Sequence, residues 1–225
     1  MRRTMVKASV VTALNLLFFA LIGTALLAIT YQLTNDPIAR SEEKEKLKLV
    51  TQIALPDTYD NDIIKDTAEL VPDELLGNDG TTVAYLGRLK NQPSIAVLQA
   101  VAPDGYGGKI SLIISIHSDG KIGGVRVISD KETPGLGDYI EIAKGKWITG
   151  FDGKSLDNPP GKLGDGGWKV RKDGGQFDYM AGATITPRAV VKAVHKALQY
   201  FAQHRDEMFK QHATALPEQR KGDQK

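Results

Sequence analysis

The chain has 225 residues, a net charge of +2 and no cysteine. That length suits one medium domain plus an anchor or tail. The near-neutral charge offers no electrostatic footprint for nucleic acid, and the missing cysteines exclude disulfides, Cys-ligated iron–sulfur clusters and Cys-based zinc sites. The histidines, His117, His195, His204 and His212, are scattered and lack nearby paired carboxylates at ligand spacing, so no metal site is expected.

Residues 1–7 carry Arg2, Arg3 and Lys7, and residues 8–31 carry no charge and a single amide, Asn15. About 20 apolar residues suffice to span a bilayer core as a helix. A cleavable signal would have an apolar region of only about 7–15 residues and a small-x-small site; here Leu26 stands at −3 if Ala28 is −1. The expectation is an uncleaved single-pass anchor. Basic residues crowd its N-terminal side, while Arg40 alone follows closely, which predicts a cytoplasmic N-terminus and everything after residue 31 outside the cytoplasm.

After the span, Asn35, Asp36 and Pro37 form a helix-start signal, so a separate connecting helix is predicted over 32–55. From about residue 81 the pattern changes to strands. TTVAYLGRLK and PSIAVLQAVA are β-rich, and KISLIISIHSDGKIGGVRVIS is a hairpin turning at Asp119 and Gly120. Ile110, Leu112, Ile114 and Ile116 alternate on one face, which predicts an antiparallel sheet with one buried and one exposed face. DYIEIAKGKW reads as a short helix, and residues 150–177 as loops with one short strand around Trp168 to Val170. Ala189, Val190, Ala193, Val194, Ala197, Leu198 and Phe201 recur at helical spacing and predict a last helix packed on the sheet. The class is α+β: a single N-terminal transmembrane helix, then a domain over 56–210 with an antiparallel sheet and packed helices, then a polar tail over 211–225.

The informative stretch is DYMAGATITP, residues 178–187. Pro187 suits a first helical position and Thr186 its cap. That leaves Thr184 as either the end of a strand or a hydroxyl beside a phosphate, because first-turn amides and the helix dipole attract anions. The residues alone leave both readings open.

DYMAGAT, residues 178–184, resembles the flavinylation motif of the FMN-binding domain family, whose final threonine carries FMN through a phosphoester bond. ETPGLG, residues 132–137, and GYGG, residues 105–108, resemble two further stretches of that family, in the same order behind a single anchor. The similarity covers essentially the whole chain. It is strongest to the G subunits of Rnf-type (in some enterobacteria Rsx) ion-translocating electron-transport complexes, which are related to the C subunits of the sodium-pumping NADH:quinone reductase. One position departs from the motif: Ala181 stands where a serine or threonine is usual.

The resemblance implies covalent FMN on Thr184, attached by a separate Mg²⁺-dependent flavin transferase that takes FMN from FAD and releases AMP. It implies Gly182 and Ala183 beside the attachment point, with Asp178 and Thr186 as motif or supporting residues. Glu132, Thr133, Gly135 and Leu136 would border the flavin ring, with Tyr106 and Trp168 as packing partners and Lys169 or Arg171 as charges near the cofactor. The implied role is a flavoprotein subunit relaying electrons in a bacterial inner-membrane complex, its FMN domain periplasmic, its partners the other subunits, and no residue acting as acid, base or nucleophile on a separate substrate. The alternatives are a stand-alone flavinylated domain for extracellular electron transfer, and a noncatalytic anchor or assembly subunit whose threonines only cap a helix.

Overall fold

The computed structural model describes residues 2–156 and 167–213. Most of the predicted polar tail, and part of the Gly/Pro-rich stretch before Trp168, lie outside the described residues. The chain divides into two compact units, residues 1–46 and 47–225.

In the first unit the backbone is one helix. Helix α1 spans Arg2–Ile53 and does not restart at Pro37, contrary to the separate connecting helix expected there. A mid-helix proline costs about 3 kcal/mol through a lost amide and a crowded carbonyl. Leu- and Ala-rich sequence upstream and Glu/Lys-rich sequence downstream both favour helix, and a break would require a second costly nucleation. Residues Ser9–Thr34 are long and apolar enough to cross a membrane, with mean hydropathy 2.3. Two hydroxyls within this stretch bond locally: Thr24 donates to the Ala20 carbonyl and Thr34 to the Thr30 carbonyl, each at 2.8 Å. Such local bonding lets a polar side chain sit in an apolar helix.

The second unit is built on a five-stranded antiparallel sheet in simple sequential order. Its strands are β1 (Thr67–Leu70), β2 (Thr82–Leu89), β3 (Gln92–Ala102), β4 (Ile110–His117) and β5 (Ile122–Ser129). The β4–β5 hairpin turns through Asp119 and Gly120 as the sequence indicates, with Gly120 at φ +87°. The β2–β3 hairpin turns on Lys90 and Asn91, at φ +52° and +62°, with Leu89 paired to Gln92. That is the two-residue turn whose twist matches the strands, made here without glycine. The edge strand β1 is not expected from the sequence, since four residues are too few to show a period.

Helix α2 (Ile185–Ala213) covers one face of the sheet. Its Val190, Val194, Ala197 and Leu198 join Leu98, Leu112, Ile114 and Ile116 in a buried core. The opposite face, expected to be exposed, is also covered. Val50, Ile53 and Ala54, at the end of α1, pack with Tyr85, Ile95, Val97 and Ile113 in a second core. Ser115 on β4 is fully buried and donates to the Ile53 carbonyl at 2.9 Å, satisfying one of the acceptors a helix end leaves open. Beside it Gly124 leaves the space, since a Cβ there would stand 3.0 Å from Ile53.

The far end of α2 is tied down by Arg88 on β2. Its Nε donates to Asp66 at 2.8 Å, its Nη2 donates to the Phe209 carbonyl at 3.0 Å, and its guanidinium lies over the Phe209 ring. Both charged side chains are close to buried, 13% and 10% exposed. Removing one member of such a pair costs about 3–5 kcal/mol because the other charge stays in place. Arg88→Met is therefore expected to lower the unfolding free energy by about that amount, read from the midpoint of urea unfolding at unchanged slope.

Two local expectations are corrected. DYIEIAKGKW is not one helix but a single 3-10 turn, Asp138–Ile140, followed by another at Trp147–Phe151. The chain instead sinks Ile140 and Ile148 into the core from these two separate turns. Around Trp168 there is only an isolated bridge between Val170 and Phe177, with a 3-10 turn Arg171–Asp173 between them.

Candidate functional site

The three glycine-rich motifs converge at the N-terminal end of α2. The loop that follows β5 turns at Thr133-Pro134-Gly135-Leu136, with the Leu136 amide donating to the Thr133 carbonyl at 3.0 Å. Proline second and a glycine third at φ +76° are what a type II turn demands. The turn is pinned by Asp138, whose Oδ1 accepts from the Gly135 amide at 2.8 Å. A second turn of the same kind precedes α2: the Ala183 amide donates to the Met180 carbonyl at 3.1 Å, and Gly182 holds φ +87°. A Cβ on Gly182 would meet nothing, so the backbone angle and not crowding calls for glycine there. Ala181 occupies the second position of this turn and is exposed.

Glu132 links the motifs. It is buried, 6% exposed. Its Oε1 accepts from the Gly107 amide at 3.0 Å and its Oε2 from the hydroxyl of Thr186 at 2.5 Å. Two glycines of the 105–108 stretch, Gly105 and Gly107, are dictated by close approach, and Gly108 by its φ of +118°. A Cβ on Gly107 would overlap the Lys131 carbonyl, and one on Gly105 would sit 2.9 Å from Glu132 Oε1. Gly107→Ala is expected to destabilise the unit by about 1–3 kcal/mol, as overpacking does when the obstacle is backbone; thermal unfolding measures it.

Helix α2 begins at Ile185, two residues before the expected first position, and the Thr184 carbonyl accepts from the Arg188 amide at 3.4 Å. Thr184 therefore stands at the cap. Thr186 is buried, 1% exposed, and turns its hydroxyl to Glu132 instead of capping. Thr186 falls inside the first turn of α2, and its hydroxyl proton goes to the charged acceptor held beside it. Among the described residues the Thr184 hydroxyl makes no hydrogen bond.

A shallow cleft of about 110 Å³ opens here, smaller than a pocket that would enclose a whole small-molecule ligand. Tyr106, Glu132, Thr133, Leu136 and Gly137 form one wall, and Gly182, Ala183, Thr184, Ile185 and Thr186 the other. Tyr106, Leu136 and Ile185 are 68%, 42% and 47% exposed, an apolar rim around a polar floor. Tyr139, beneath the rim, accepts from the Met180 amide at 3.3 Å. Burial pushes its phenol above the ordinary value and the Glu132 charge adds to this, so it stays neutral.

Other sequence-named residues lie elsewhere. Trp168 is 4% exposed, packed among Phe151, Phe177 and His195 in the core under α2, and does not line the cleft. An isolated tryptophan gives no periodicity with which to tell a core position from a ligand platform. Asp178 is exposed and pairs with Arg171 at 3.0 Å, neither lines the cleft, and the Asp178 carbonyl accepts from the Trp147 indole at 2.7 Å. Lys169 is exposed and likewise not part of the cleft lining. Arg188, in the first turn of α2, is held by Asp173 in a two-pronged pair, and that hydrogen bonding keeps the Asp173 carboxyl below its ordinary value. The Glu132–Thr186 link was not foreseen; residues 54 positions apart give no pairwise signal in one sequence.

The cleft suits a flavin mononucleotide in kind. It offers an unbonded hydroxyl at a helix start, where amides favour phosphate, and an apolar rim beside it against which a flat ring can lie. Comparison with known proteins agrees. The FMN-binding domain family matches residues 105–199, and the RnfG N-terminal region matches residues 1–53. The G subunit of the ion-translocating oxidoreductase complex of Pseudomonas aeruginosa (strain UCBPP-PA14) is 46% identical over 207 residues, covering 92% of this chain and 93% of that protein. The corresponding G subunit of Aliivibrio fischeri (strain ES114) is 44% identical over 208 residues, covering 92% of this chain and 95% of that protein. That of Shewanella oneidensis is 41% identical over 211 residues, covering 94% of this chain and 96% of that protein. Similarity of this extent, running through both the N-terminal helix and the cleft, means that the chain belongs to the G-subunit family of ion-translocating oxidoreductase complexes and carries an FMN-binding domain.

Proposed function

We propose that this protein is a membrane-anchored flavoprotein subunit that relays electrons through FMN bonded to Thr184, within an ion-translocating oxidoreductase complex of the bacterial inner membrane. The observation that carries this reading is the placement of the Thr184 hydroxyl, unbonded among the described residues, on the cleft where all three motifs meet. In the attachment step the Thr184 oxygen bonds to the FMN-side phosphorus of FAD and the pyrophosphate bond breaks. AMP leaves, and the hydroxyl proton passes to the Mg²⁺-dependent transferase that catalyses the exchange. This chain is the acceptor in that step.

FMN, when held, supplies reversible one- and two-electron chemistry. The protein's own share is binding and environment. The first-turn amides of α2 and the helix dipole favour the phosphate. Tyr106, Leu136 and Ile185 offer apolar surface to the ring, and the 133–137 turn brings main chain close to the cleft. The neutral Tyr139 adds no charge near the site. A covalent bond makes retention independent of free FMN, whereas noncovalent occupancy follows its concentration by mass action. That matters outside the cytoplasm, where we place the domain on the strength of Arg2, Arg3 and Lys7 before the span.

Intact mass and peptide mapping of the protein purified from cells that contain the transferase test the attachment. The expected result is one FMN, less one water, on the peptide holding Thr184; an unmodified Thr184 would refute it. The orientation is tested separately, because the natural chain has no cysteine to interfere. A membrane-impermeant maleimide applied to spheroplasts is expected to label Lys172→Cys and to leave Thr4→Cys unlabelled; the reverse pattern would invert the topology.

A further inference from the structure

We propose that Glu132 is a positioning residue for flavin attachment: its carboxylate clamps the first turn of α2 to the 105–108 loop, and so holds the Thr184 oxygen at the mouth of the cleft in a geometry the transferase can use. This rests on the reading that Thr184 is the acceptor, and deepens it.

The geometry is specific. Glu132 uses one oxygen for the Gly107 amide and the other for the Thr186 hydroxyl, so neither is turned outward for a ligand. Both hydrogen bonds are made in a buried place, where Glu132 is 6% and Thr186 1% exposed. Gly137 leaves the room: a Cβ there would stand 2.6 Å from Glu132 Oε2 and 3.1 Å from Thr186 Oγ1. Thr186 lies two residues after Thr184, and the turn before it pivots on Gly182, the residue type with the fewest backbone restraints. Without the clamp, the first turn of α2 and the Gly182 turn would fray together, as unfastened helix ends do. Thr184 would keep its hydroxyl but lose its fixed position. Misplacing a reacting group by about 1 Å costs about a hundredfold in rate.

The test is the rate at which the full-length protein acquires FMN from FAD and purified transferase, followed by intact mass. In parallel, hydrogen exchange is measured at the amides of residues 182–186 in the unmodified protein. Thr186→Val removes the hydroxyl. Glu132→Asp keeps the charge but is too short to reach both donors. Each is expected to slow attachment by about 10- to 100-fold while circular dichroism stays native, and to speed exchange at 182–186. Thr186→Ser restores the hydroxyl, and Glu132→Gln can still accept from Gly107 and donate to Thr186; both are expected to load near the parental rate. A purely structural role would instead make loading follow the unfolded fraction in every variant. Native-like Thr186→Val or Glu132→Asp protein that loads at the parental rate, or shows unchanged exchange at 182–186, overturns the proposal. Failure of the parental protein to load at Thr184 overturns the attachment reading instead, and the exchange data then judge the clamp alone.

Discussion

Thr184→Val is expected to abolish covalent flavin completely and to leave the fold intact. Valine matches threonine in shape and lacks the one atom that can bond to phosphorus. The structural cost is small, because the Thr184 hydroxyl makes no hydrogen bond among the described residues and the residue is only half-buried. Loss of an N-cap side chain costs about 1 kcal/mol where a cap bond exists, so a lower figure is expected here. Thr184→Ser keeps an acceptor oxygen and is expected to retain flavin. Flavin fluorescence in denaturing gels reads both variants. Fluorescence that persists in Thr184→Val would move the attachment point, and Thr186 would be the next hydroxyl to test. That residue is a poor acceptor in this structure, being 1% exposed with its hydroxyl spent on Glu132.

The second large effect concerns the end of α1. A soluble version of the protein beginning at Leu47 is expected to fold cooperatively, whereas one beginning at Pro56 is expected to lose its cooperative thermal transition and to bind a hydrophobic dye. Val50 and Ile53 are 0% and 3% exposed against the sheet. Each such burial is worth about 1.5–3 kcal/mol. Removing them also bares Ile95, Val97 and Ile113, which are fully buried. The sum approaches the whole stability of an ordinary domain, about 5–15 kcal/mol. The Ser115 hydroxyl would lose the Ile53 carbonyl as well. A cooperative melt for the Pro56 version would show that the second core is dispensable. The full-length variant Ile53→Asp asks the same question with the helix present, and is expected to unfold the sheet, since an unpaired charge is not tolerated in an apolar core.

How much of the molecule is legible in its sequence divides along physical lines. The apolar stretch, the β4–β5 hairpin and the face of α2 are visible because each writes its environment into a local period or a turn pair. The three motifs are visible through resemblance, and the cleft lining brings residues of all three together, Thr184 among them. The helix start is misplaced by two positions because Thr184, Thr186 and Pro187 all carry start signals. In the fold Thr184 stands at the cap, while Thr186 falls inside the first turn and donates its hydroxyl to Glu132. Trp168 is misread for a related reason. Aromatic rings serve cores and ligands alike, and only its neighbours Phe151, Phe177 and His195 assign it to the core.

Local chemistry thus decided what kind of elements form: a helix long and apolar enough for a membrane, an alternating sheet, an amphipathic closing helix, and turns that require glycine or proline. Tertiary structure decided what those elements cover and what they leave open. The end of α1 was a polar-looking connector until Ile53 met Gly124 and Ser115 on the sheet. Glu132 was one acid in a loop until both its oxygens were engaged by Gly107 and Thr186. These are contacts between residues far apart in the chain, set by how packed layers meet, and no window of neighbouring residues contains them.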